Sequence, residues 1–580
     1  MVAHRGPDDK GIWVNHMVGL GARRLAIQDL SHAGRQPMQS PDGRYIIVFN
    51  GEIYNFQELK RDLEGKGERF KTNTDTEVLL RLFIIMGEKC LSKLNGMFAF
   101  SVFDTKKEKL FLARDRFSIK PLYIFNTPKI FFFASEIKSL LPFVKELNLS
   151  WELDDAAVYE YLLFRYNAGP NTLVKDVKRC EPGSWMVVGK KGIEKRGTYY
   201  DMRGIISNIG YSGKKTEKPI EYYTEQIQET LKESIRLRMI SDAPVGVALS
   251  GGVDSSLLIG LMRELSSGTI RTYSIVFDSS KNENYTNDES VYSDYIANRY
   301  HTQHHKILLK QKIYCDSFLK CIWHNDEPLF DPQTLAMHAL SLHASKNVKV
   351  LLGGEGADEI FAGYESPRQM CYYKHGEQLH ALKHRYARVS DINKFARFPS
   401  KNLLFRENLI NYDELSGTKQ HMYYLVNTFL QPMYNRLDKQ AMASSVEMRV
   451  PYLDHNVVKV AFGIPDNMKL RKGVAKAVLK KLAEQYLSHD QIYRPKEGFS
   501  IPINVWLRNN KHLGQYVSVL HEERARDRSF IIPSGLEKLL QEFRTGIDKH
   551  EYSIAGRVWI LLNLELWIRS FIEDKEPLSL

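Results

Sequence analysis

The first 150 residues alternate short apolar runs with turn residues, which is the pattern of buried strands. A helix is predicted at Asn55–Glu64, because Phe56, Leu59 and Leu63 fall on one face. A second helix is predicted at Val78–Met86, after a capping box at Thr74–Glu77. We therefore expect this half to be α+β. The predicted strands are Tyr45–Phe49, Met97–Phe103, Leu110–Ala113 and Ile130–Ala134.

Beyond residue 220 the pattern changes to apolar strands that alternate with amphipathic helices. Continuous apolar strands joined by helices predict a parallel, doubly wound α/β sheet covered on both faces. After Ala362 the segments read as mostly helical. The predicted elements are Val245–Leu249, Asp254–Leu265, Thr272–Phe277, Glu289–Tyr300, Lys306–Leu309 and Val348–Leu352.

A stretch rich in Gly, Ser, Lys and Asn, residues 204–219, lies between the two patterns and has no sustained periodicity. We predict that it is a linker. It divides the chain into an amino-terminal domain of residues 1–203 and a second domain of residues 220–580.

Composition excludes several classes of protein. No apolar run among the 580 residues is long enough to cross a bilayer, and the first residues lack the apolar core of a secretory signal. The five cysteines are scattered and never paired as C-x-x-C, which indicates a reduced, cytoplasmic protein without a structural metal. The net charge of +12 is dispersed along the chain, so neither a nucleic acid nor a membrane is expected as a partner.

A glycine-rich loop, Ser250–Ser256, follows a predicted buried strand and begins a helix. In this setting backbone N–H groups and a helix N-terminus converge on an anion, and Gly251 and Gly252 allow a pyrophosphate to approach closely. A carboxylate beside phosphates is repulsive unless a cation lies between them. Asp254 is therefore read as a Mg²⁺ ligand.

A second loop, Gly353–Glu359, also follows an apolar strand directly. Because open α/β sheets bind ligands beyond the carboxyl ends of their strands, the two loops can face one crevice. We expect Asp358 to be the partner of Asp254 at a metal-bridged polyphosphate, with Glu355 near the reacting carboxylate. Ordinary solvated turns remain the alternative for both loops.

These residues resemble a known family. Ser250–Ser256 is similar to the pyrophosphate loop of the ATP pyrophosphatases, and together with Gly353–Glu359 and Val446–Asp454 it resembles the glutamine-hydrolysing asparagine synthetases. Motifs of the first half are similar, in the same order, to the class II glutaminase domain of these enzymes. Those motifs are His4–Asp9, Arg24–Ile27, Asn50–Asn55, Asp75–Glu77, Gly96–Phe100 and Arg114–Phe117.

The resemblance implies a fold and a reaction. The amino-terminal domain would be an incomplete Ntn-hydrolase-like αββα sandwich, and the second domain an adenine nucleotide α-hydrolase-like sheet with a helical carboxyl-terminal part. ATP would activate the β-carboxylate of L-aspartate as an acyl-adenylate, and ammonia from the glutaminase domain would displace AMP. ATP and Mg²⁺ are thus the expected cofactors, and a homodimer is expected by analogy.

The family's functional residues can be carried onto this sequence. The adenosine part of ATP would be held by Leu249, Ile275, Gly353 and Gly354, and the pyrophosphate by Ser250, Gly251, Gly252, Ser255 and Ser256. Asp254 and Asp358 would hold Mg²⁺. The catalytic set would be Glu355, which supports the intermediate, with Arg449 and Lys476, which neutralise phosphate charge. Glutamine would be bound by Arg24, Asn50, Gly51, Glu52 and Asp75.

The sequence departs from the family pattern at two positions. The family nucleophile is a cysteine directly after the initiator methionine, whereas here the second residue is Val2. We therefore expect this chain to use free ammonia rather than glutamine, although a start codon assigned too far downstream would give the same sequence. Ser118 stands where the family usually has glycine, which would cost about 1 kcal/mol if that position needs a positive φ.

Other readings stay open at this stage. The same acyl-adenylate chemistry could act on another carboxylate, such as a sugar acid or a peptide side chain. An RNA-modifying pyrophosphatase would share the loop and the positive charge, but no concentrated basic stripe or RNA-binding motif accompanies them. A binding module without catalysis is disfavoured, because Asp254, Glu355 and Asp358 are all present.

Overall fold

The computed structural model describes residues 1–210, 218–277, 289–364, 392–398, 406, 408–409, 415–495, 501–545 and 554–578. Within these residues no helix is long and apolar enough to span a membrane. The predicted linker differs in part from the structure, because residues 204–210 belong to a helix that buries Met202 and Ile206. Residues 211–217 of that stretch lie outside the described residues.

The amino-terminal half contains antiparallel sheets. A six-stranded sheet has the order β11-β10-β6-β5-β4-β3, a three-stranded sheet the order β8-β7-β9, and β1 and β2 form a hairpin. The predicted strands of this half are confirmed. The strands are β1 (Asp9–Val14), β2 (Gly19–Arg24), β3 (Met38–Gln39), β4 (Tyr45–Ile53), β5 (Gly96–Asp104), β6 (Lys109–Arg114), β7 (Tyr123–Asn126), β8 (Phe131–Ala134), β9 (Val177–Arg179), β10 (Ser184–Gly189) and β11 (Gly192–Thr198).

Five helices belong to this half, and the two predicted ones are confirmed. Phe56, Leu59 and Leu63 are all buried, as their spacing predicts. The Thr74 side chain accepts a hydrogen bond from the Glu77 N–H at 3.2 Å and so begins the second helix. The helices are α1 (Phe56–Glu64), α2 (Asp75–Met86), α3 (Leu141–Glu146), α4 (Asp155–Phe164) and α5 (Met202–Gly210).

The burial pattern arranges these elements in four layers. Helices α1 and α2 pack on one face of the six-stranded sheet, through residues such as Ile47 and Phe98. The other face of that sheet, with Ile46, packs against the three-stranded sheet. The far face of the three-stranded sheet, with Tyr123, joins the large core that contains α3 and α4. This is the predicted αββα arrangement.

The second half is built on a five-stranded sheet that is parallel throughout. Its order is β14-β13-β12-β15-β16, so the chain starts in the middle, runs to one edge and then returns to the other side. The topological switch point therefore lies between β12 and β15, where open α/β sheets bind their ligands. The strands are β12 (Val245–Ala248), β13 (Arg271–Phe277), β14 (Gln303–Leu309), β15 (Val350–Leu352) and β16 (Glu447–Arg449).

Helices cover this sheet and dominate the described remainder of the chain. The helices before, between and directly after the first four strands of the sheet are α6 (Ile220–Arg238), α7 (Val253–Leu265), α8 (Ser290–Arg299), α9 (Gln311–Asn325), α10 (Gln333–Ala344) and α11 (Ala357–Ile360). The carboxyl-terminal helices are α12 (Gly417–Asn427), α13 (Leu430–Tyr434), α14 (Gln440–Met442), α15 (His455–Gly463), α16 (Asp466–Lys469), α17 (Ala477–Ala483), α18 (His489–Tyr493), α19 (Ile503–Trp506), α20 (Glu523–Arg526), α21 (Pro533–Thr545) and α22 (Ile554–Ile568). Asn435–Lys439 and Arg569–Glu573 are π-helical turns.

Buried ion pairs join the two halves. Arg5 contacts Asp438 at 2.8 Å, and Lys120 contacts both Asp438 at 3.1 Å and Glu447 at 3.2 Å. Lys138 pairs with Asp326 at 2.7 Å, and both side chains are completely buried. Buried charges of this kind are stable only while each keeps its partner, so they fix how the halves meet.

Candidate active site

The first loop leaves β12 at the switch point and leads into α7. Gly251 has a φ of 77°, which a side chain would strain, and its carbonyl oxygen accepts a hydrogen bond from Gln491 Nε2 at 2.6 Å. Ser255 Oγ accepts a hydrogen bond from the Ser250 N–H at 3.2 Å, and Ser250 Oγ accepts one from the Gly252 N–H at 3.2 Å. The hydroxyl groups thus hold the loop open at the start of α7, as an anion-binding loop requires.

The second loop leaves β15, the strand that pairs with β12. A Cβ on Gly354 would lie 3.0 Å from the Ser255 backbone nitrogen, so the two loops touch. A Cβ on Gly353 would lie only 2.1 Å from Glu355 Oε2, so only glycine leaves room for that carboxylate. The structure therefore brings the loops together at one crevice, and it folds Glu355 back over the strand end.

Glu355 lies in a protected environment. Burial raises the pKa of its carboxyl group, and the positive charge of Arg436 acts in the opposite direction. Its Oε2 is buried and has no hydrogen-bond partner among the described residues. A carboxylate of this kind is suited to hold a proton or to meet a cationic or polar group of a substrate.

Lys476 lies between the two loops. Its Nζ contacts both oxygens of Asp254, at 2.8 and 2.6 Å, and Asp358 Oδ1 at 2.7 Å. Burial alone would lower the pKa of Lys476, but the two carboxylates outweigh it and raise the pKa above its ordinary value. Gly363 packs against this bridge, since a Cβ there would lie 1.9 Å from Asp358 Oδ1 and 2.2 Å from Lys476 Cε.

The donor set at this bridge fits Mg²⁺. Asp254 and Asp358 converge on one cation, and Mg²⁺ is commonly held by one or two carboxylates together with substrate phosphates. Within the described ranges no group of three or more His, Cys, Asp or Glu side chains could hold a metal by itself. A metal at this point would thus depend on phosphate oxygens for its remaining ligands.

The two residues expected at the adenosine lie on neighbouring strands. Leu249 is buried, with its N–H donating to Tyr273 O at 2.9 Å and its carbonyl accepting from the Ser274 hydroxyl. Ile275 is half-buried on β13. Leu249 therefore supports the base of the loop, while the Ile275 side chain is partly exposed.

Arg449 borders the second loop through its backbone, since its carbonyl accepts a hydrogen bond from the Gly353 N–H at 2.9 Å, but its side chain is turned toward the other half, and neutralisation of phosphate charge by it stays a prediction. Its guanidinium donates to Glu447 Oε1 at 2.9 Å and to the carbonyls of Arg238 and Ile240 at 2.8 and 2.7 Å. Its remaining nitrogen faces Glu52 of the other half at 3.4 Å. Because side chains alternate along a strand, Met448 points to the Gly353 side and Arg449 points away from it.

The residues expected to bind glutamine lie together. Arg24, Asn50, Gly51, Glu52 and Asp75 all line one cavity of about 1030 Å³ in the amino-terminal half. Gly51 has a φ of 148°, and a Cβ there would lie 2.1 Å from Met97 O, so glycine is required. Arg24 donates to the carbonyls of Gln28, Asp29 and Ser31, and its guanidinium therefore also orders the wall of the cavity.

Two acids in this cavity are perturbed by burial. Burial raises the pKa of Asp75 to about 7, against the effect of a 2.9 Å hydrogen bond from the Ile53 N–H. Burial also raises the pKa of Glu52 well above its ordinary value, and Arg449 opposes that shift. Glu447 of the second half lines the same cavity, which therefore reaches the boundary between the halves.

The motif Val446–Asp454 serves both sides of the crevice. Tyr452 OH donates to the Asp254 carbonyl at 3.0 Å, and Leu453 fills the space over Gly356. Asp454 accepts hydrogen bonds from Arg238 and from Asn95 of the amino-terminal half, both at 2.9 Å. The motif thus holds the nucleotide loop in place and anchors it to the other half.

Sequence reasoning missed Arg436. It is buried, it pairs with Asp331 at 2.9 Å, and its positive charge lowers the pKa of Glu355 against the effect of burial. The available signal was a group of charged residues, Arg436, Asp438 and Lys439, inside a run of apolar helical residues. Charged side chains in a buried helix need partners, and such partners often form a functional site.

The molecule joins an α/β domain, with glycine-rich loops at its switch point, to a sandwich domain whose cavity is lined by Arg24, Glu52 and Asp75. This combination suits a carbon–nitrogen ligase of amidotransferase type. Comparison with known proteins gives the family. Residues 226–569 match the family model described as Asparagine synthase, and residues 1–200 match that of the Glutamine amidotransferase domain. The chain belongs to the asparagine synthase family, and the resemblance inferred from its motifs is confirmed.

Relatives with curated names span nearly the whole chain. It is 32% identical to "Asparagine synthetase [glutamine-hydrolyzing] 1" of Bacillus subtilis, over 99% of this chain and 93% of the relative. It is 29% identical to "Asparagine synthetase [glutamine-hydrolyzing] 3" of the same organism, over 90% of this chain and 87% of the relative. It is 26% identical to "Amidase chry2" of Gibberella zeae, over 87% of this chain and 84% of the relative.

Proposed function

We propose that the protein is an asparagine synthetase, which uses ATP to amidate L-aspartate through a β-aspartyl-AMP intermediate and releases AMP and pyrophosphate. The observation that carries the proposal is the pair of touching loops at the switch point, with Lys476 between Asp254 and Asp358 and with Glu355 beside them. The relatives' printed names support the same reaction.

The first step forms a bond between a β-carboxylate oxygen of aspartate and the α-phosphorus of ATP, and it breaks the bond from that phosphorus to the pyrophosphate oxygen. Two anions must approach each other, so fixed positive charge lowers the barrier. Lys476 supplies that charge, and the loop of Ser250, Gly251, Gly252, Ser255 and Ser256 holds the leaving pyrophosphate. Mg²⁺, held by Asp254 and Asp358, would neutralise further phosphate charge.

In the second step the nitrogen of ammonia attacks the acyl carbon, and AMP leaves with one of the former carboxylate oxygens. The attacking nitrogen must lose a proton as the amide forms. Glu355 is the group we assign to stabilise the intermediate and take up that proton, because burial raises the pKa of its carboxyl group.

The cavity of the amino-terminal half would bind glutamine. Arg24 offers a cation for the α-carboxylate of glutamine, and Glu52 and Asp75 offer carboxylates for its α-ammonium group. Asn50 and Gly51 would donate hydrogen bonds to an oxyanion.

We propose the domain division 1–203, 204–219 and 220–580, and a cytoplasmic homodimer. The family-model ranges support the division, and the free, buried thiols of the four cysteines among the described residues support the location.

The test uses aspartate labelled with ¹⁸O in its β-carboxylate, with ATP, Mg²⁺ and either ammonium or glutamine. We expect asparagine and pyrophosphate in equal amounts, with ¹⁸O recovered in AMP. Label in inorganic phosphate together with ADP would contradict the adenylate. Comparison of the two nitrogen donors shows whether glutamine is used.

A matched pair of variants tests the metal ligand. Asp254→Asn should lower pyrophosphate release at least about a hundredfold, since it removes a charge from the bridge. Asp490→Asn, at a fully exposed aspartate of α18, should leave it unchanged. Unchanged turnover in Asp254→Asn would refute the role of Asp254. Release supported by other carboxylates but not by aspartate would favour the reading in which the acceptor is a different acid.

A further inference from the structure

Gln491 is a buried amide on α18, the short helix His489–Tyr493 that lies beside the first loop. Its side chain belongs to a residue that is only 3% exposed, and its Nε2 donates a hydrogen bond to the Gly251 carbonyl at 2.6 Å. Buried amides are nearly always hydrogen-bonded, because an unsatisfied one is costly. The partner of this amide is a backbone oxygen of the loop that we propose to hold pyrophosphate.

The helix that carries Gln491 is held on both sides of this residue. Ile492 is buried in the core, and Arg494, directly after the helix, pairs with Glu289 at 3.0 Å. Arg494 Nη2 also faces the Gly251 carbonyl, but at 3.5 Å, which is beyond the usual range of an N–H···O hydrogen bond. The amide of Gln491 is therefore the stronger of these two contacts to the Gly251 oxygen.

The contact controls the direction of the Gly251–Gly252 peptide. In a trans peptide the carbonyl group and the following N–H group point in opposite directions. Gln491 holds the Gly251 carbonyl on the buried side of the loop. The Gly252 N–H therefore points to the open side, where it donates to the hydroxyl of the exposed Ser250 at 3.2 Å. An anion that enters the loop approaches from this open side.

A peptide between two glycines can reverse its direction, because glycine tolerates both signs of φ. Reversal would turn the Gly251 oxygen toward the open side of the loop and take the Gly252 N–H away from it. The oxygen would repel a phosphate group that the N–H attracts. Without a donor at position 491 both directions would be populated, and the affinity for an anion would fall by the fraction of molecules in the wrong one.

We propose that Gln491 is a positioning residue for pyrophosphate, which holds the Gly251 carbonyl so that the loop presents an N–H group, and not an oxygen, to the phosphates. The inference rests on the proposed function, because it takes Ser250–Ser256 as the pyrophosphate loop. Gln491 acts through Gly251, from 240 positions further along the chain, and need not touch the ligand.

Packing around Gly251 does not replace this contact. A Cβ on Gly251 would lie 3.0 Å from the Ser293 nitrogen and 3.0 Å from Tyr292 Cβ, so α8 limits where the Cα of Gly251 can lie. The direction of the carbonyl is a separate degree of freedom, which depends on Gln491. If Gln491 served only to anchor α18, its replacement would lower stability and leave the anion affinity of the folded protein unchanged.

The experiment measures the binding of inorganic pyrophosphate, with Mg²⁺, to the full-length protein by isothermal titration calorimetry. The variants are Gln491→Met and Gln491→Glu, and Gln541→Glu, at an exposed glutamine of α21, is the control. Gln491→Met removes the donor and should weaken binding about tenfold. Gln491→Glu should weaken it about a hundredfold at pH 8, because a carboxylate repels the Gly251 carbonyl and favours the reversed peptide. KM for ATP should rise in the same order.

The pH dependence of Gln491→Glu separates positioning from damage to the fold. A protonated carboxyl group donates a hydrogen bond as the amide does, and burial raises the pKa of such a group. Its affinity, relative to the unchanged protein at the same pH, should therefore recover at least about tenfold between pH 8 and pH 6. Gln491→Met should not recover, and it keeps the comparison possible if Gln491→Glu unfolds at pH 8.

Equal affinities of Gln491→Met and the unchanged protein, or no recovery of folded Gln491→Glu on acidification, would overturn the inference and make Gln491 a structural residue. Thermal unfolding at both pH values shows that folded protein is compared.

Failure of the proposed function gives a different result, because pyrophosphate binding needs neither an acceptor nor a nitrogen donor. A protein that makes no asparagine but binds pyrophosphate, more weakly in Gln491→Met, would contradict the reaction and keep the inference. Asparagine formation by Gln491→Met with an unchanged KM for ATP would keep the reaction and overturn the inference. Absence of pyrophosphate binding to the unchanged protein would overturn the inference together with the assignment of the loop.

Discussion

Replacement of Arg449 by methionine tests whether this arginine acts on phosphate or at the boundary between the halves. The side chain is completely buried, and its removal strips the cationic partner from Glu52 and a hydrogen-bond donor from the carbonyls of Arg238 and Ile240, while Glu447 keeps its contact with Lys120. Loss of one member of a buried ion pair costs about 3–5 kcal/mol, and unsatisfied carbonyls act in the same direction. Uptake of a proton by Glu52 limits the cost, because burial already raises its pKa. We therefore expect a loss of about 3 kcal/mol in the free energy of unfolding.

Urea unfolding measured by fluorescence at pH 6 and pH 8 gives the magnitude and its pH dependence. A carboxyl group whose pKa is raised in the folded state binds more protons there than in the unfolded chain, so stability falls as pH rises above the ordinary value of 4.5. Arg449→Met should thus be destabilised more at pH 8 than at pH 6. Arg236→Met, which removes an exposed i,i+3 pair with Glu233, should cost less than about 0.5 kcal/mol.

The double variant with Glu52→Gln should regain part of the loss, because it removes the charge left without a partner. A cost below about 1 kcal/mol for Arg449→Met, with a raised KM for ATP, would refute this reasoning and restore the phosphate role.

Three further changes have defined outcomes. Ser118 has a φ of 62° and a buried hydroxyl without a partner among the described residues. Ser118→Gly should therefore raise the free energy of unfolding, measured in urea, by about 1 kcal/mol. Ser118→Ala keeps the Cβ and the strained φ, so it should gain only the stability that comes from removing the hydroxyl. Gly363→Ala should displace Lys476 from Asp358 and lower pyrophosphate release at least about tenfold. Gly21→Ala is the control, because Gly21 has open space around it, and it should not lower pyrophosphate release. Equal activities of the two variants would contradict the close packing of Gly363 against Asp358 and Lys476. Burial lowers the pKa of His338 to about 4. Between pH 6.5 and pH 4 the unfolded chain therefore binds more protons than the folded protein. The free energy of unfolding should fall on acidification, by on the order of 2 kcal/mol from pH 7 to pH 5. His338→Asn should flatten this dependence in urea midpoints measured at both pH values, and an unchanged slope would count against it.

The sheets and the two glycine-rich loops could be predicted from the sequence, because apolar periodicity and glycine placement are local signals. The positions of Ser250–Ser256 and Gly353–Glu359 after their strands predict that the loops meet, and the strand order β12-β15 shows why they do. The role of Arg449 was not predictable in this way. The alternation of side chains along β16 determines on which face of the sheet the Arg449 side chain lies. What that side chain contacts depends on how the amino-terminal half packs against this face.

Arg436 could not be placed for a related reason. Its pairing with Asp331 joins residues more than a hundred positions apart, across segments whose packing no local pattern encodes. The sequence indicated only that Ser118 would be strained if its position needed a positive φ, and it did not show that the position does. Here a tight loop around the Asp115 carboxylate, which accepts backbone hydrogen bonds from Phe117, Ile119 and Lys120, imposes the left-handed conformation.

The buried ion pairs between the halves also bear on biosynthesis. The amino-terminal half leaves the ribosome first and carries Arg5, Lys120 and Lys138. Their partners Asp326, Asp438 and Glu447 are synthesised much later, the nearest of them 188 residues further along the chain. Until then Arg5 and Lys138 can pair with Glu136 of their own half, whereas both carboxylate partners of Lys120 are still to be made, so docking of the halves is expected to be the final event of folding. Opposite charges should speed that encounter, and added salt should slow it.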